Sequence, residues 1–348
     1  MIDFRYHLVS IVAVFLALAI GIVLGSTELQ GPTYSILNHT TATLQNQLGQ
    51  ARSQLATAQQ QASQDEAYAQ AVEPAVLHDL LNGQRLLIVT EPGAQSSVVS
   101  GISTAAVMAG ATVTGQINLA SKFFDTSGTA QDSLNQTTLD VAQTAGIQLD
   151  ASATYQQQAA QVIASEILTA PATSSGSAGN RSAGGDQATN ATTMLQAYAA
   201  SQFLSTTGQP TTPATLTVVV TPQNAPSDGS ADPLDQVLIP VVQELAAKSS
   251  ATVVVGSSSG SGSGSPIAVL RSNNVSNQVS TVDDAELVSG QTVAIQALAT
   301  LLAGGKAASY GFTANGASAI APSPAPTPSV SVSVSASATS TPTKKAKK

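Results

Sequence analysis

The sequence predicts an α/β protein, with an N-terminal transmembrane helix and a coiled coil followed by a mostly parallel-sheet α/β domain. Three observations predict it. Leu8–Leu24 is apolar except for Ser10. A heptad of Leu and Ala can be traced from about Tyr34 to Val76. Beyond Arg85, short runs of Leu, Ile and Val alternate with segments of helical period, the order that builds βαβ units.

Residues 1–30 form the anchor. At about 1.5 Å per residue the apolar run nearly spans a hydrocarbon core, and its flanks extend it. Phe4 and Tyr6 stand where interfacial aromatics belong. A cleaved signal peptide is the first alternative, but Gly25-Ser26-Thr27 is a poor small-x-small cleavage site. A buried core helix is the second. Arg5 precedes the run, Glu28 follows it, and the next strong base is Arg52. The positive-inside bias therefore predicts a single-pass protein with a cytoplasmic N-terminus and an extracytoplasmic bulk.

Residues 31–78 form the coiled coil. One seam position takes Leu37, Leu44, Ala51, Ala58, Asp65 and Val72, and the other takes Thr41, Leu48, Leu55, Ala62, Ala69 and Val76. A single amphipathic helix lying on the following domain is the alternative. Pro74 is expected to kink or restart the helix.

Residues 79–320 form the α/β domain. The pattern predicts a strand over Leu86–Thr90, a helix over about Gln95–Met108, a strand in "GATVTGQINL" and helix across Gln131–Leu168. A flexible loop is expected over 171–193, then helix near Met194–Leu204 and a buried strand at Leu216–Val220. Next come a helix interrupted by Pro240, a strand in "ATVVVG" and another in "PIAVLR". A short strand follows, then a last helix with Ser289 as its cap. Residues 321–348 are Pro, Ser and Thr with a "KKAKK" end, and read as a disordered tail.

Composition narrows the function. Charged residues are only 9% of 348, so amides and hydroxyls must keep the surface wet. From Asp79 to Ile320 there are 15 acids against 6 bases, and an acidic body argues against nucleic-acid binding. There is no cysteine, which excludes disulfides, a lipoprotein thioester, zinc–thiolate sites and a catalytic thiol. The histidines are His7, His39 and His78, so the α/β domain has neither His nor Cys. Ser–His catalysis and imidazole–metal chemistry find no base or ligand there. The expectation is a protein that is not an enzyme, with no catalytic residue and no bound cofactor. "VGSSSGSGSGSP" (Val255–Pro266) follows a strand but lacks the Lys-Ser/Thr of a phosphate loop and reads as a flexible loop. Asp283, Asp284 and Glu286 cluster at a strand end, where carboxylates either bind a hard cation or remain solvated.

The opening "MIDFRYHLVSIVAVFLALAIGIVLGS" is more specific than a generic anchor. Its Asp3-Phe4-Arg5-Tyr6-His7 start, running straight into one apolar helix, resembles the actinobacterial copper transporter family. Ser280, Thr281, Val282, Asp283, Gly290 and Gln291 are similar to that family's "STVD…GQ" stretch. The resemblance covers the chain to about Gly311. It implies copper homeostasis, with intracellular copper kept low, and a channel-forming role in the cell envelope, the outer layer included. Soft copper ligands are scarce, since only Met1, Met108, Met194 and the three histidines are present. Repeated alternating strands of a membrane barrel are also missing. The metal-ligand candidates are therefore His7, as the one copper-competent residue of the opening motif, and the carboxylates Asp283, Asp284 and Glu286. The expected partners are a membrane, a copper ion and further copies of the chain through the coiled coil. The alternative function is a non-enzymatic envelope scaffold presenting an α/β domain on a coiled coil.

Overall fold

Runs such as Leu86–Thr90, Leu216–Val220 and Ala251–Val255 are apolar at nearly every position, the mark of strands covered on both faces. In the computed structural model they form the centre of a seven-stranded sheet. The structure describes residues 4–169, 185–208, 210–222, 233–257, 265–311 and 321–322. The strands are β1 (Arg85–Thr90), β2 (Thr112–Leu119), β3 (Leu204–Gly208), β4 (Leu216–Val220), β5 (Ala251–Val255), β6 (Ser280–Val282) and β7 (Ser309–Tyr310). Their order is β3-β2-β1-β4-β5-β6-β7. All neighbours are parallel except β3, which runs antiparallel to β2. The fold is thus α/β with a mixed, mostly parallel sheet.

Alternate residues of each strand face opposite layers. Leu87, Val89, Val219 and Val254 point into one core with α4 (Gly128–Ala145), α5 (Tyr155–Ile167), α6 (Gly185–Ala200), α7 (Pro233–Lys248) and α8 (Pro266–Arg271). The short α3 (Ser121–Phe124) adds Phe123 and Phe124 to that core. Leu86, Ile88, Val218 and Val253 point into the other, with α2 (Ser96–Met108), α9 (Val288–Leu302) and Leu77 at the end of α1 (Phe4–Leu77).

The chain divides into two compact units, 1–68 and 69–348. In the first, Tyr6–Gly25 of α1 has mean hydropathy 2.9 and none of it is buried. It is long and apolar enough to cross a membrane, and its exposure removes the reading as a buried core helix. Leu44, Leu48 and Leu55 are also exposed. The helix expected for the coiled coil is present, while a coiled coil itself needs a second helix.

Several elements differ from the sequence expectation. "PIAVLR" is helix α8, not a strand. Ser265 Oγ accepts from the Ala268 N–H at 3.2 Å, and Pro266 stands in the first turn, where its fixed φ suits a helix start. Ile267 and Leu270 then face the core together. Helix α6 begins at Gly185, inside the expected loop, because Ala191, Met194, Leu195 and Tyr198 form one buried stripe despite the surrounding Thr and Asn. The rest of that loop, 171–184, lies outside the described residues, as do 258–264 of the Gly/Ser stretch and 323–348 of the tail. Helix α7 runs through Pro240 without interruption, held by buried Leu238, Val241, Val242 and Leu245. Helix α1 likewise runs through Pro74 to Leu77. Leu287, not Ser289, caps α9, and it does so without a side-chain bond. The helix expected to reach Leu204 ends at Ala200, and Leu204 opens β3, which exposes all its other residues; β7, two residues long, carries no expectation.

Candidate functional site

In open parallel sheets ligands bind beyond the carboxyl ends of the strands, where the strand order reverses. Here that point lies between β1 and β4. The chain leaves β1 through buried Glu91 and turns at Gly93, whose φ of +87 suits glycine. It enters α2 at Ser96. Beside it, Thr221 follows β4, with its N–H bonded to Val255 O at 2.9 Å and its Oγ1 at 3.2 Å. Gly256 follows β5, and a Cβ there would lie 2.7 Å from Thr221 Oγ1 and 2.9 Å from Ile267 Cγ1. Gln95, Val98, Thr221, Gly256 and Ser257 line a narrow crevice here.

The acidic cluster sits on the next connection, between β6 and α9. Asp283 and Asp284 are buried and Glu286 is half-buried. Asp283 Oδ2 accepts from Arg271 Nη1 at 2.8 Å. The same guanidinium donates from Nη2 to Tyr310 O at 2.8 Å and from Nε to Thr281 Oγ1 at 2.9 Å. One arginine thereby ties α8, β6 and β7 together. Gly311 is required beside it, because a Cβ there would fall 1.6 Å from Asp283 Oδ1.

The other motif residues complete the frame. Ser280 Oγ accepts from the Ala308 N–H at 3.2 Å. Gly290 lets α9 start against the preceding loop, since a Cβ there would lie 1.9 Å from Asp284 O. Gln291 Nε2 donates to Ala285 O at 3.0 Å. Its amide lies over Gly101 of α2, where a Cβ would come within 2.3 Å. Sequence reasoning took Asp283 for its charge and missed its partner. Arg271, 12 residues upstream on an element expected to be a strand, carried no signal.

Among the described residues no group of three or more His, Cys, Asp or Glu side chains is placed to hold a metal ion. His7 is exposed on α1, in the first unit. His39 is exposed on the same helix, and His78 is exposed with Nδ1 3.2 Å from Asp79 Oδ2. Met194 is fully buried in one core, and Met108 packs against the other. The sheet therefore separates the two thioethers of the α/β domain. A cavity of about 140 Å³ between α4 and α6 has Met194 and Val141 in its lining and Asp140 and Asn190 among its polar groups. One thioether and one carboxylate do not make a soft-metal site.

The fold and this site define a class: an α/β domain with a mostly parallel sheet and a buried Arg271–Asp283 clamp at its strand ends, following an apolar helix long enough to span a membrane. The family model described as "Copper transport outer membrane protein, MctB" matches residues 1–322, and the chain belongs to that family. It is 27% identical over 325 residues to the copper transporter MctB of Mycobacterium tuberculosis (strain H37Rv), covering 92% of this chain and 99% of that protein. The copper transporter MctB of Mycobacterium leprae (strain TN) is 27% identical over 332 residues, with the same coverage. The family is named for transport and is not an enzyme family.

Proposed function

We propose that this chain is a membrane-anchored cell-envelope protein of copper transport and homeostasis, working as an oligomeric export or channel component. The observation that carries the reading is the family match from residue 1 to 322, anchor and domain together. The apolar helix Tyr6–Gly25 supports the anchor. Arg5 ahead of it supports a cytoplasmic N-terminus with the bulk outside. Copper is the cargo in this reading, not a resident cofactor. With no Cys in the chain and its two domain methionines in separate cores, the ion is passed by an oligomer, by oxygen ligands or by partners. His7 is then the candidate ligand at the mouth of an anchor bundle, and Asp284 and Glu286 remain oxygen candidates. The Arg271–Asp283 clamp, which commits one of the candidate carboxylates to an arginine, favours a second reading, an envelope scaffold that touches no ion.

Gene deletion separates the two. The transport reading expects higher cell copper and lower copper tolerance in the deletion strain, both restored by the full chain. Unchanged copper and tolerance leave the scaffold. Complementation with His7→Ala then tests the residue, and full rescue reduces His7 to an interfacial anchor beside Arg5 and Tyr6.

A further inference from the structure

From 39 to 65 every side chain of α1 is exposed. Between residues 31 and 64 the only Asp, Glu, Lys or Arg is Arg52, so no i,i+4 ion pair supports this stretch as a lone helix. Free-standing helices without such support or a packed face are marginal in water. Yet Leu44, Leu48 and Leu55 stand 58%, 51% and 58% exposed on one face, with Ala51, Ala58 and Ala62 filling the seam between and beyond them.

The flanks say what covers that seam. Leu48 and Leu55 take heptad position a, and Leu44, Ala51 and Ala58 take d. The flanking e and g rows are then Gln45, Arg52 and Gln59 on one side, and Gln47, Gln54 and Gln61 on the other. Partner choice in coiled coils is set by these rows. An amide both donates and accepts, so a glutamine row is complementary to its own copy, which a row of like charges is not. In a parallel pair the g row meets the e row of the next heptad, which sets Gln47 against Arg52 and Gln54 against Gln59. Arg52 never meets Arg52. The tail sequence, with Pro322, Pro324, Pro326 and Pro328, carries no matching Leu/Ala heptad.

We propose that residues 41–62 of α1 pair with a second copy of this chain, parallel and in register, through a Leu/Ala seam latched by glutamine amides. The direction rests on the membrane-anchored reading, because copies inserted by the same end must run the same way. The pairing needs neither copper nor a pore. Since its flanks are amides, it holds across salt concentrations that dissolve ion-paired coils.

The sequence has no cysteine, so a single introduced thiol reports only itself. The full chain in its membrane is prepared as Leu44→Cys, Leu48→Cys and, on the opposite helix face, Asn46→Cys. Each is oxidised with diamide at low and high salt, with no copper reagent. Disulfide dimers at positions 44 and 48 should exceed those at 46 several-fold, at both salt levels. Equal cross-linking at all three positions, or none at the seam, overturns the pairing. Co-expressed Leu44→Cys and Ala62→Cys chains test direction: mixed 44–62 dimers in excess of like dimers would make the pairing antiparallel and overturn the register. Either result leaves the copper phenotype of the deletion strain untouched, so the two readings fail separately.

Discussion

The Tyr198 hydroxyl donates to Thr138 Oγ1 at 2.9 Å inside the layer formed by α4 and α6. Burial raises its pKa far above the ordinary tyrosine value, and the hydrogen bond offsets this only in part. The folded state therefore keeps a proton that the unfolded state releases near pH ~10, so stability falls as pH rises through that value. Tyr198→Phe should cost about 1 kcal/mol near neutrality, where a hydrogen bond is lost. It should also flatten the alkaline fall. Melting temperatures of both proteins from about pH 8 to about pH 11 check this, because the ordinary tyrosine pKa lies inside that range. Parallel curves would show that the phenol does not couple to folding.

At the scale of elements, the strand-end cluster is a joint. Arg271 belongs to the last turn of α8, Asp283 follows β6, and Tyr310 ends β7. Their side chains and backbone meet with Arg271 5% exposed and Asp283 fully shielded from solvent. Removing one partner of a buried pair strands the other charge. Arg271→Met should therefore cost about 3–5 kcal/mol, whereas Arg271→Met with Asp283→Leu should recover most of it. Urea denaturation midpoints distinguish the cases, and a single variant as stable as the parent would remove the clamp from the account. The same joint explains why residues 280–283 and 290–291 read as a motif. Ser280, Thr281 and Asp283 hold β6 to the β7 segment and to α8, and Gly290 and Gln291 seat the start of α9 against the preceding loop.

The whole molecule turns on its first helix. Tyr6–Gly25 is exposed along its length, an arrangement that water does not favour and lipid does. The small-x-small cleavage pattern is poor at Gly25-Ser26-Thr27, so the mature chain should keep this helix. Intact mass spectrometry of the purified protein should find the Met1 end, with or without the methionine itself. A mature N-terminus near Ser26 would make the segment a signal and detach the domain from the membrane.

Periodicity and composition by themselves determined the apolar N-terminal stretch, the helix of α1, strands β1, β2, β4 and β5, and the want of soft metal ligands in the α/β domain. Each rests on local information: a run too long for anything but a membrane or a core, a heptad, or a Val-rich stretch bounded by turns. Tertiary structure decided the rest. "PIAVLR" is short and apolar, and such a run is a strand or a helix according to what it packs on. Edge strand β3 buries only Leu204, so its pairing with β2 left no hydrophobic pattern to read. Asp283 carries a charge in the sequence, but its partner stands on another element, and only the fold brings Arg271 within 2.8 Å and turns a candidate metal ligand into half of a buried ion pair.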